Sequence, residues 1–184
     1  LTQAIQALGH TIEPLAPSLF AFNVADKRIQ GLAGLSVQNA SVQVLPHSAR
    51  QNGPILITHR GFSGPAILRL SAWESRRLQD QNYRFDISIN WLGDACYSQL
   101  SDQFKSLRTS TGKASIKKKT FEHIPRRLWE RIVESANINQ DLTWAQLSKK
   151  HEHALINELT RATFNIQGKT TNTLKVNDSL VAKG

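Results

Sequence analysis

The side chains best suited to chemistry lie in a turn between an apolar run and a helical pattern. The run at residues 55–58 predicts a short buried strand, and the helical spacing begins at Gly64. Between them, His59 could donate a hydrogen bond or a proton, and Ser63 could orient a polar atom. The first N–H groups of a helix stabilise a ligand with partial negative charge. Gly61 and Gly64, which lack a side chain, would let such a ligand approach the backbone closely.

The same turn partly matches the strand–turn–helix motif G-x-S-x-G, which presents a serine nucleophile. Gly61 and Ser63 fit this motif, but Pro65 occupies the position of its second glycine. Ser63 is therefore predicted as the N-cap of the helix, with Pro65 in the first turn. A well-capped helix alone would explain these residues, and His59 is also compatible with a structural role. Its position at the carboxyl end of a strand favours function, because ligand sites gather there.

Two further groups of polar residues have ordinary structural explanations. His151, Glu152 and His153 are predicted on a helix, where residues i and i+2 face different directions, so we predict no metal site. Asp86 and Asp94 are candidate carboxylates for acid–base chemistry. The first falls on the polar face of a predicted strand, and the second is predicted to open a helix. The sequence has neither a G-x-G-x-x-G fingerprint nor a G-x-x-x-x-G-K-[ST] loop, so this chain alone should hold no nucleotide in a standard site.

The composition is that of a globular protein of one domain or two small ones, with 184 residues of which 40% are hydrophobic. No apolar run reaches the roughly 18 residues that a membrane span requires, and no secretory leader is visible. A single cysteine, Cys96, excludes an internal disulfide and a cysteine-based zinc site, so the cytoplasm is the expected compartment. Because the chain neither begins with Met nor contains it, we interpret it as a piece of a longer protein.

The net charge is strongly positive, +9 at pH 7. Much of the excess lies in the second half of the chain, where Lys117, Lys118 and Lys119 are consecutive. Such a run attracts nucleic acid or an acidic protein surface, although three lysines in a row are also common in solvated loops. Together with Arg126 and Arg127, these lysines form the candidate nucleic-acid surface. No aromatic stacking platform accompanies them, so nucleic acid is the less favoured partner.

Hydrophobic periodicity predicts strands towards both ends of the chain and helices between them. Strands are predicted at residues 18–24, 37–45, 55–58, 83–89, 163–167 and 173–176. Helices are predicted at residues 1–9, 64–78, 97–107 and 125–136, and after a capping box at 143–146. We therefore predict an α+β fold in which a β-rich body, residues 1–93 plus 162–184, carries a helical subdomain, residues 94–161.

Residues 53–71 closely resemble the signature G-x-L-L-F-T-H-x-G-x-S-G-P-A-x-L-x-x-S of the BaiN-like (YhiN-like) family of bacterial flavoproteins, which are FAD-dependent, NAD(P)-linked oxidoreductases. Arg60 departs from the pattern, since a bulky aromatic residue is common at its position. The T-H-x-G-x-S-G-P core is the most specific part of the resemblance. Shorter similarities cover essentially the whole chain in order, at residues 9–12, 17–19, 125–129, 144–147 and 164–168.

The resemblance implies that this chain is the middle, insert domain of a larger enzyme. In that family, a Rossmann-type FAD-binding domain is split by an insert that pairs a β-barrel-like body with a small helical lobe. FAD is then expected in the parent protein and not on this fragment alone, which is not expected to be catalytic. The FAD-binding domain of the parent is the expected partner. The activity suggested for the family's namesake is reduction of carbon–carbon double bonds in steroid-like substrates, and the substrate here stays unidentified.

Residues 58–65 are therefore predicted to form one wall of the active-site cleft over the flavin. His59 and Ser63 are the predicted catalytic residues. The residues predicted to face the cofactor or the substrate are Thr58, Gly61, Phe62, Gly64 and Pro65. The alternative function is a basic module that binds nucleic acid or protein through the helical lobe. The positive charge could also dock the insert against an acidic face of the FAD-binding domain.

Overall fold

The computed structural model describes residues 2–11, 15–118, 121, 123–139 and 141–170. Its strands are β1 (Ala21–Asn23), β2 (Ser36–Val44), β3 (Gln51–Thr58), β4 (Gly61–Ser63), β5 (Phe85–Asn90), β6 (Ala162–Ile166) and β7 (Gly168–Thr170). Its α-helices are α1 (Thr2–Ala7), α2 (Pro65–Trp73), α3 (Ser75–Asp80), α4 (Tyr97–Thr111), α5 (Arg126–Ser135) and α6 (Lys149–Thr160), with short 3-10 turns at Ile116–Lys118 and Trp144–Gln146. Strands from both ends of the chain join one sheet, which confirms the predicted α+β fold.

The described strands form a seven-stranded antiparallel sheet in the order β6-β5-β2-β3-β4-β1-β7. β6 and β7 stand at opposite ends of this order, yet they follow one another in the chain with only Gln167 between them. The sheet must therefore curl until its two edges approach. The Gln167 N–H donates to the Asn23 carbonyl of β1 at 2.9 Å, close to this point. The curl gives the barrel-like body that the family resemblance implied.

One face of the sheet lies in a continuous apolar core, because side chains alternate along each strand. On β5, the alternating apolar side chains are buried, as their spacing predicted. Aromatic rings fill the centre of the barrel: the Phe62 and Phe164 centroids are 4.9 Å apart at 76°, an edge-to-face arrangement. The Trp91 ring completes the group, with centroid distances of 6.1 Å to both phenylalanine rings. Phe62 therefore fixes strand β4 from inside the barrel.

The helices α4, α5 and α6 pack around two buried tryptophans. Trp129 of α5 and Trp144 have ring centroids 6.5 Å apart, and Phe104 of α4 lies 5.1 Å from Trp144. The predicted capping box is confirmed, since the Thr143 N–H donates to Oε1 of Gln146 at 3.1 Å. These rings form an aromatic cluster among the helices, and that cluster belongs to the same apolar core as the barrel. In the described ranges, no helix has the length and apolar character needed to cross a bilayer.

Some predicted element boundaries were wrong. The helix predicted over residues 64–78 is two helices, α2 and α3, because the backbone leaves helical geometry at Glu74, which has φ −97° and ψ 10°. Asp94 does not open a helix, since α4 begins at the residue after its N-cap, Cys96. The strand predicted at residues 173–176 lies outside the described residues.

Candidate functional site

The predicted site is the tip of a tight hairpin between β3 and β4. Thr58 pairs with Gly61, so His59 and Arg60 are the two residues of the turn. The Thr58 hydroxyl accepts from the Arg60 N–H at 3.3 Å and donates to the Gly61 carbonyl at 3.2 Å, which closes the turn. His59 and Arg60 are both exposed. The sequence predicted a direct passage from strand to helix here and missed β4, which is three residues long.

The conformations of Gly61 and Gly64 are explained by packing within the barrel. Gly61 has φ 145°, and a Cβ there would overlap the Phe22 carbonyl oxygen and lie 2.7 Å from the Val24 nitrogen. Gly64 has φ 99°, and a Cβ there would lie 2.8 Å from the Pro54 carbonyl oxygen. Side chains rarely tolerate either conformation. The two glycines therefore let β4 and the start of α2 approach neighbouring backbone. Their predicted second role, to let a ligand approach the backbone, stays a prediction.

The prediction of Ser63 as a helix N-cap was wrong. Ser63 ends β4 and is half-buried, while the N-cap of α2 is Gly64, which has no side chain to offer a cap hydrogen bond. Pro65 occupies the first turn of α2, as predicted, and is exposed. The Phe62 side chain is fully buried in the aromatic core, so it cannot line an open cleft and only its backbone lies at the hairpin. Alternation along β4 explains the difference between Phe62 and Ser63.

Three adjoining depressions surround the hairpin tip. The largest has a volume of about 550 Å³ and lies between the tip and the loop of residues 24–33, with Lys27 and His59 in its wall. A second, of about 300 Å³, is lined by His59 and Arg60 among others. A third, of about 350 Å³, contains Arg60 and Val24. Neighbouring depressions share lining residues, so the three adjoin one another around the hairpin tip, and together we call them the tip track.

Arg28 anchors the loop of residues 24–33 to both parts of the fold. Its guanidinium pairs with Asp26 at 2.8 Å and with Glu158 of α6 at 2.9 Å, and it lies 4.0 Å above the centre of the Phe164 ring. Burial alone would raise the pKa of Asp26, but hydrogen bonds from Arg28 and its charge outweigh burial and lower that pKa. The carboxylate of Asp26 is therefore ionised and paired at neutral pH.

A second arginine and a backbone contact fix the remainder of this loop. The Val24 N–H donates to the Arg60 carbonyl at 2.8 Å, which ties the loop to the hairpin. Arg127 of α5 donates to the Gly31 carbonyl at 2.6 Å, which ties it to the helical subdomain. The wall of the largest depression is therefore held in place although it has no regular secondary structure.

The tip track has a positive charge. Lys27 and Arg60 line it and are both exposed. In the part of the chain that the structure describes, neither side chain makes an ion pair, whereas the nearby acid Asp26 is compensated by Arg28. A surface with unpaired cations and a compensated acid favours an anionic ligand.

The two arginines predicted for a nucleic-acid surface both make intramolecular contacts. Arg126 pairs with Glu130 at 3.2 Å on the surface of α5. Arg127 donates to the Gly31 carbonyl of the barrel loop. Arg127 therefore joins the helical subdomain to the barrel, a structural role that its neighbours in sequence did not indicate.

The three lysines predicted for the same surface differ in exposure. Lys118 is exposed, and Lys117 is half-buried. Lys119 lies outside the described residues. The structure therefore describes two of the three lysines, and one of these two is exposed. A nucleic-acid role for the three lysines stays a prediction.

The candidate carboxylates make ordinary surface hydrogen bonds. Asp86 accepts from Nδ2 of Asn165 at 2.8 Å, and Asp94 accepts from Nδ2 of Asn52 at 3.3 Å. Asp86 thus links neighbouring strands β5 and β6 on their polar face. Among the described residues, no group of three or more His, Cys, Asp and Glu side chains could hold a metal ion.

Glu152 belongs to the interior of the helical subdomain, with a side chain only 1% exposed. It lies 2.6 Å from Nη2 of Arg108 and accepts from the Ser101 hydroxyl at 3.0 Å. Burial would raise the pKa of Glu152, but the Ser101 hydrogen bond and the charges of Arg108 and Lys149 lower it. Glu152 therefore joins α4 to α6. This structural role explains why a glutamate stands between His151 and His153, with no metal site among the described residues.

Comparison with known proteins gives the class of this domain. Residues 16–173 match the family described as the HI0933-like protein barrel and H2TH domain, and the chain belongs to that family. The family is the insert region of the BaiN-like and YhiN-like flavoproteins, which confirms the resemblance seen at residues 53–71. Its description names a barrel and a helical unit, and the fold has both.

One curated relative shares much of this chain. The chain is 32% identical over 159 residues to the ribosomal RNA dihydrouridine synthase of Escherichia coli (strain K12). The match covers 84% of this chain and 36% of the relative. The chain thus spans little more than a third of the length of that protein.

Sequence reasoning found the hairpin tip but missed the loop that faces it. Asp26, Lys27 and Arg28 begin two residues after the end of the strand predicted at residues 18–24. A charged triplet at the end of a predicted strand is a signal for a site residue, because strand ends of one sheet edge lie close together. The pairing of Arg28 with Glu158 had no such signal, since 130 residues separate the two.

Proposed function

We propose that this chain is the substrate-side insert of an FAD-dependent, NAD(P)-linked oxidoreductase, in which residues 58–65 form one wall of the active-site cleft. The observation that carries the proposal is an exposed His59 on a well-fixed hairpin, surrounded by adjoining depressions. Side chains on short, supported elements keep the accuracy that substrate orientation needs. In this proposal, His59 donates a hydrogen bond or a proton, and Ser63 orients a polar atom of the substrate or cofactor.

The name of the Escherichia coli relative supports a substrate in RNA. By its name, that protein forms dihydrouridine in ribosomal RNA. We extend this to the parent of our chain: the uracil C5–C6 double bond is reduced by adding one hydride and one proton across it. The flavin, when bound, supplies the hydride. The residues of this chain would hold the nucleotide, exclude water from it and supply the proton from the His59 imidazole. RNA then takes the place of the steroid-like substrates suggested for the family's namesake.

The proposal places FAD on the rest of the parent polypeptide. The sequence contains no G-x-G-x-x-G fingerprint, so the residues of this chain do not fit a dinucleotide cofactor in a standard site. The FAD-binding domain of the parent is therefore the proposed partner, and the cytoplasm is the proposed compartment. The cation-lined hairpin would then contribute to substrate binding while redox chemistry stays on the neighbouring domain.

The test uses the full-length parent enzyme and measures dihydrouridine in RNA by mass spectrometry. His59→Ala and Ser63→Ala are compared with His123→Ala, which removes an exposed histidine from the helical subdomain. We expect His59→Ala to lower kcat by about 100-fold, because a positioned proton donor contributes at least that much. We expect His123→Ala to keep the wild-type kcat and KM. If His59→Ala and Ser63→Ala also keep both constants and the flavin, the hairpin is only structural and the proposal is wrong.

A second candidate function is a basic module that binds nucleic acid through the helical subdomain. The exposed Lys118 and the RNA substrate in the relative's name favour it. The binding surface would consist of Lys117, Lys118, Lys119, Arg126 and Arg127. Affinity would then fall steeply with rising salt, because each neutralised phosphate releases counterions. Absence of binding to single or double strands at about 50 mM salt would exclude this candidate.

A further inference from the structure

We propose that the tip track binds a single strand of RNA, with one nucleotide seated in the largest depression beside His59. This inference rests on the proposed function and names the surface that would hold its substrate. The depression has a volume of about 550 Å³, within the range of pockets that enclose one small ligand. Enzymes that modify a base take that base out of its stack, so a single nucleotide is the unit that such a site must hold.

The two smaller depressions give the strand a path on either side of that nucleotide. Val24 and Ala25 line both the largest depression and the third one, which also contains Arg60. Thr58 and His59 line both the largest depression and the second one. A polynucleotide must enter and leave its site, whereas a free nucleotide or a cofactor needs only one pocket. Three adjoining depressions around one hairpin tip therefore favour a chain-like ligand.

The charges along the track suit phosphodiester groups. Lys27 borders the largest depression, and Arg60 borders both smaller ones. Within the described residues, both cations are exposed and without an ion-pair partner. Asp26 would repel a phosphate, but its carboxylate is paired with Arg28 at 2.8 Å. The exposed ring of His59 adds a face on which an unstacked base can lie.

The walls of the track are held in place by contacts within the protein. Arg28 fixes the loop through Glu158 of α6, and Arg127 fixes it through the Gly31 carbonyl. The hairpin is closed by the two hydrogen bonds of the Thr58 hydroxyl. A wall that is already ordered loses less conformational entropy on binding, which favours affinity.

The helical subdomain is the competing RNA surface, and its contacts favour it less. Arg126 is engaged with Glu130 at 3.2 Å, and Arg127 supports the loop of the track at 2.6 Å. On the tip track, Lys27 and Arg60 form no ion pair with another described residue. We therefore assign the RNA strand to the tip track on the barrel. The experiments below also test whether RNA binds to the helical subdomain instead.

The experiment measures binding of a fluorescent single-stranded oligouridylate to the flavin-loaded parent enzyme over a series of salt concentrations. The variant Lys27→Ala/Arg60→Ala removes the two track cations, and Lys118→Ala/Arg126→Ala removes the same charge from the helical subdomain. Losing two phosphate contacts should reduce the slope of log affinity against log salt by about 1.4, which corresponds to about 25-fold weaker binding at roughly 0.1 M salt. The helical-subdomain variant should bind within twofold of wild type. Retained flavin and an unchanged circular dichroism spectrum show that each variant is folded.

A photochemical experiment locates the strand directly. A thiouridine-containing oligonucleotide is cross-linked to the wild-type parent enzyme, and the labelled peptides are identified by mass spectrometry. We expect labels within residues 24–33 and 58–61. Labels confined to residues 97–160, together with wild-type RNA affinity of the Lys27→Ala/Arg60→Ala variant, would overturn this inference. The proposed function would still stand if His59→Ala lowers kcat as expected. A wild-type enzyme that binds no RNA and forms no dihydrouridine would overturn both.

Discussion

Replacing Gly61 by alanine is expected to destabilise the barrel more than replacing Gly34 by alanine. Both glycines have positive φ, 145° at Gly61 and 90° at Gly34. Their surroundings differ: a Cβ at Gly61 would overlap the Phe22 carbonyl oxygen, whereas a Cβ at Gly34 would meet no atom within 4 Å. The two substitutions therefore share a conformational cost, and only Gly61→Ala adds a steric one.

The magnitude follows from these two costs. A side chain in such sparsely populated backbone conformations costs about 1–3 kcal/mol, which is the whole effect expected for Gly34→Ala. Gly61→Ala also forces β4 away from two backbone groups of β1 and its following loop, and overpacking of this kind costs about 1–3 kcal/mol. The total expected for Gly61→Ala is therefore roughly 2–6 kcal/mol.

Urea unfolding followed by tryptophan fluorescence measures the difference, because Trp91 is buried in the barrel core. With a slope of about 2 kcal/mol per M, the Gly61→Ala midpoint should lie about 1 M below that of Gly34→Ala. Equal midpoints for the two variants would show that the close approach of β4 to β1 is not what requires glycine at position 61.

Two further predictions concern Arg28, which joins the barrel to α6, and Glu152, which joins α4 to α6. Arg28→Ala should lower the free energy of unfolding by about 2 kcal/mol, because it leaves Asp26 unpaired in a partly buried site. Arg131→Ala breaks an exposed ion pair with Glu134 on α5 and should cost less than about 1 kcal/mol. Equal losses of the free energy of unfolding in urea would contradict the anchoring role of Arg28. Glu152→Gln should weaken the pH dependence of stability in acid. The pKa of Glu152 is lowered in the folded state. Its contribution to the free energy of unfolding is therefore fully present above the ordinary pKa of 4.5 and is lost as the pH falls through the folded-state pKa. Thermal unfolding of wild type and variant across this range measures the effect, and identical pH profiles would argue against it.

Regular, local patterns made much of the fold predictable from the sequence. The alternation of residues 83–89 indicated β5, and the spacing of Thr143 and Gln146 indicated their capping box. β4 and β7 were not predicted, because three residues are too few to show a period. β4 pairs with the adjacent strand β3 and with the distant β1, and β7 also pairs with β1, which lies far away in the sequence.

The candidate site was predictable only where it depends on neighbouring residues. The position of His59 followed from the end of an apolar run and the glycine after it. The N-cap prediction for Ser63 failed because Ser63 pairs with Leu56 as part of β4, which moves the cap to Gly64. The facing loop was missed because its fixed conformation depends on Arg28 reaching across the fold.

We propose above that this domain positions a substrate and takes its redox chemistry from a flavin bound elsewhere in the same polypeptide. The most direct measurement saturates the isolated 184-residue chain with FAD, removes unbound flavin by gel filtration, and compares its visible absorbance and its uridine reduction with those of the parent enzyme. We expect a colourless, inactive chain beside a yellow, active parent. Stoichiometric flavin on the isolated chain, or uridine reduction by that chain alone, would show that this domain does not depend on a flavin bound elsewhere.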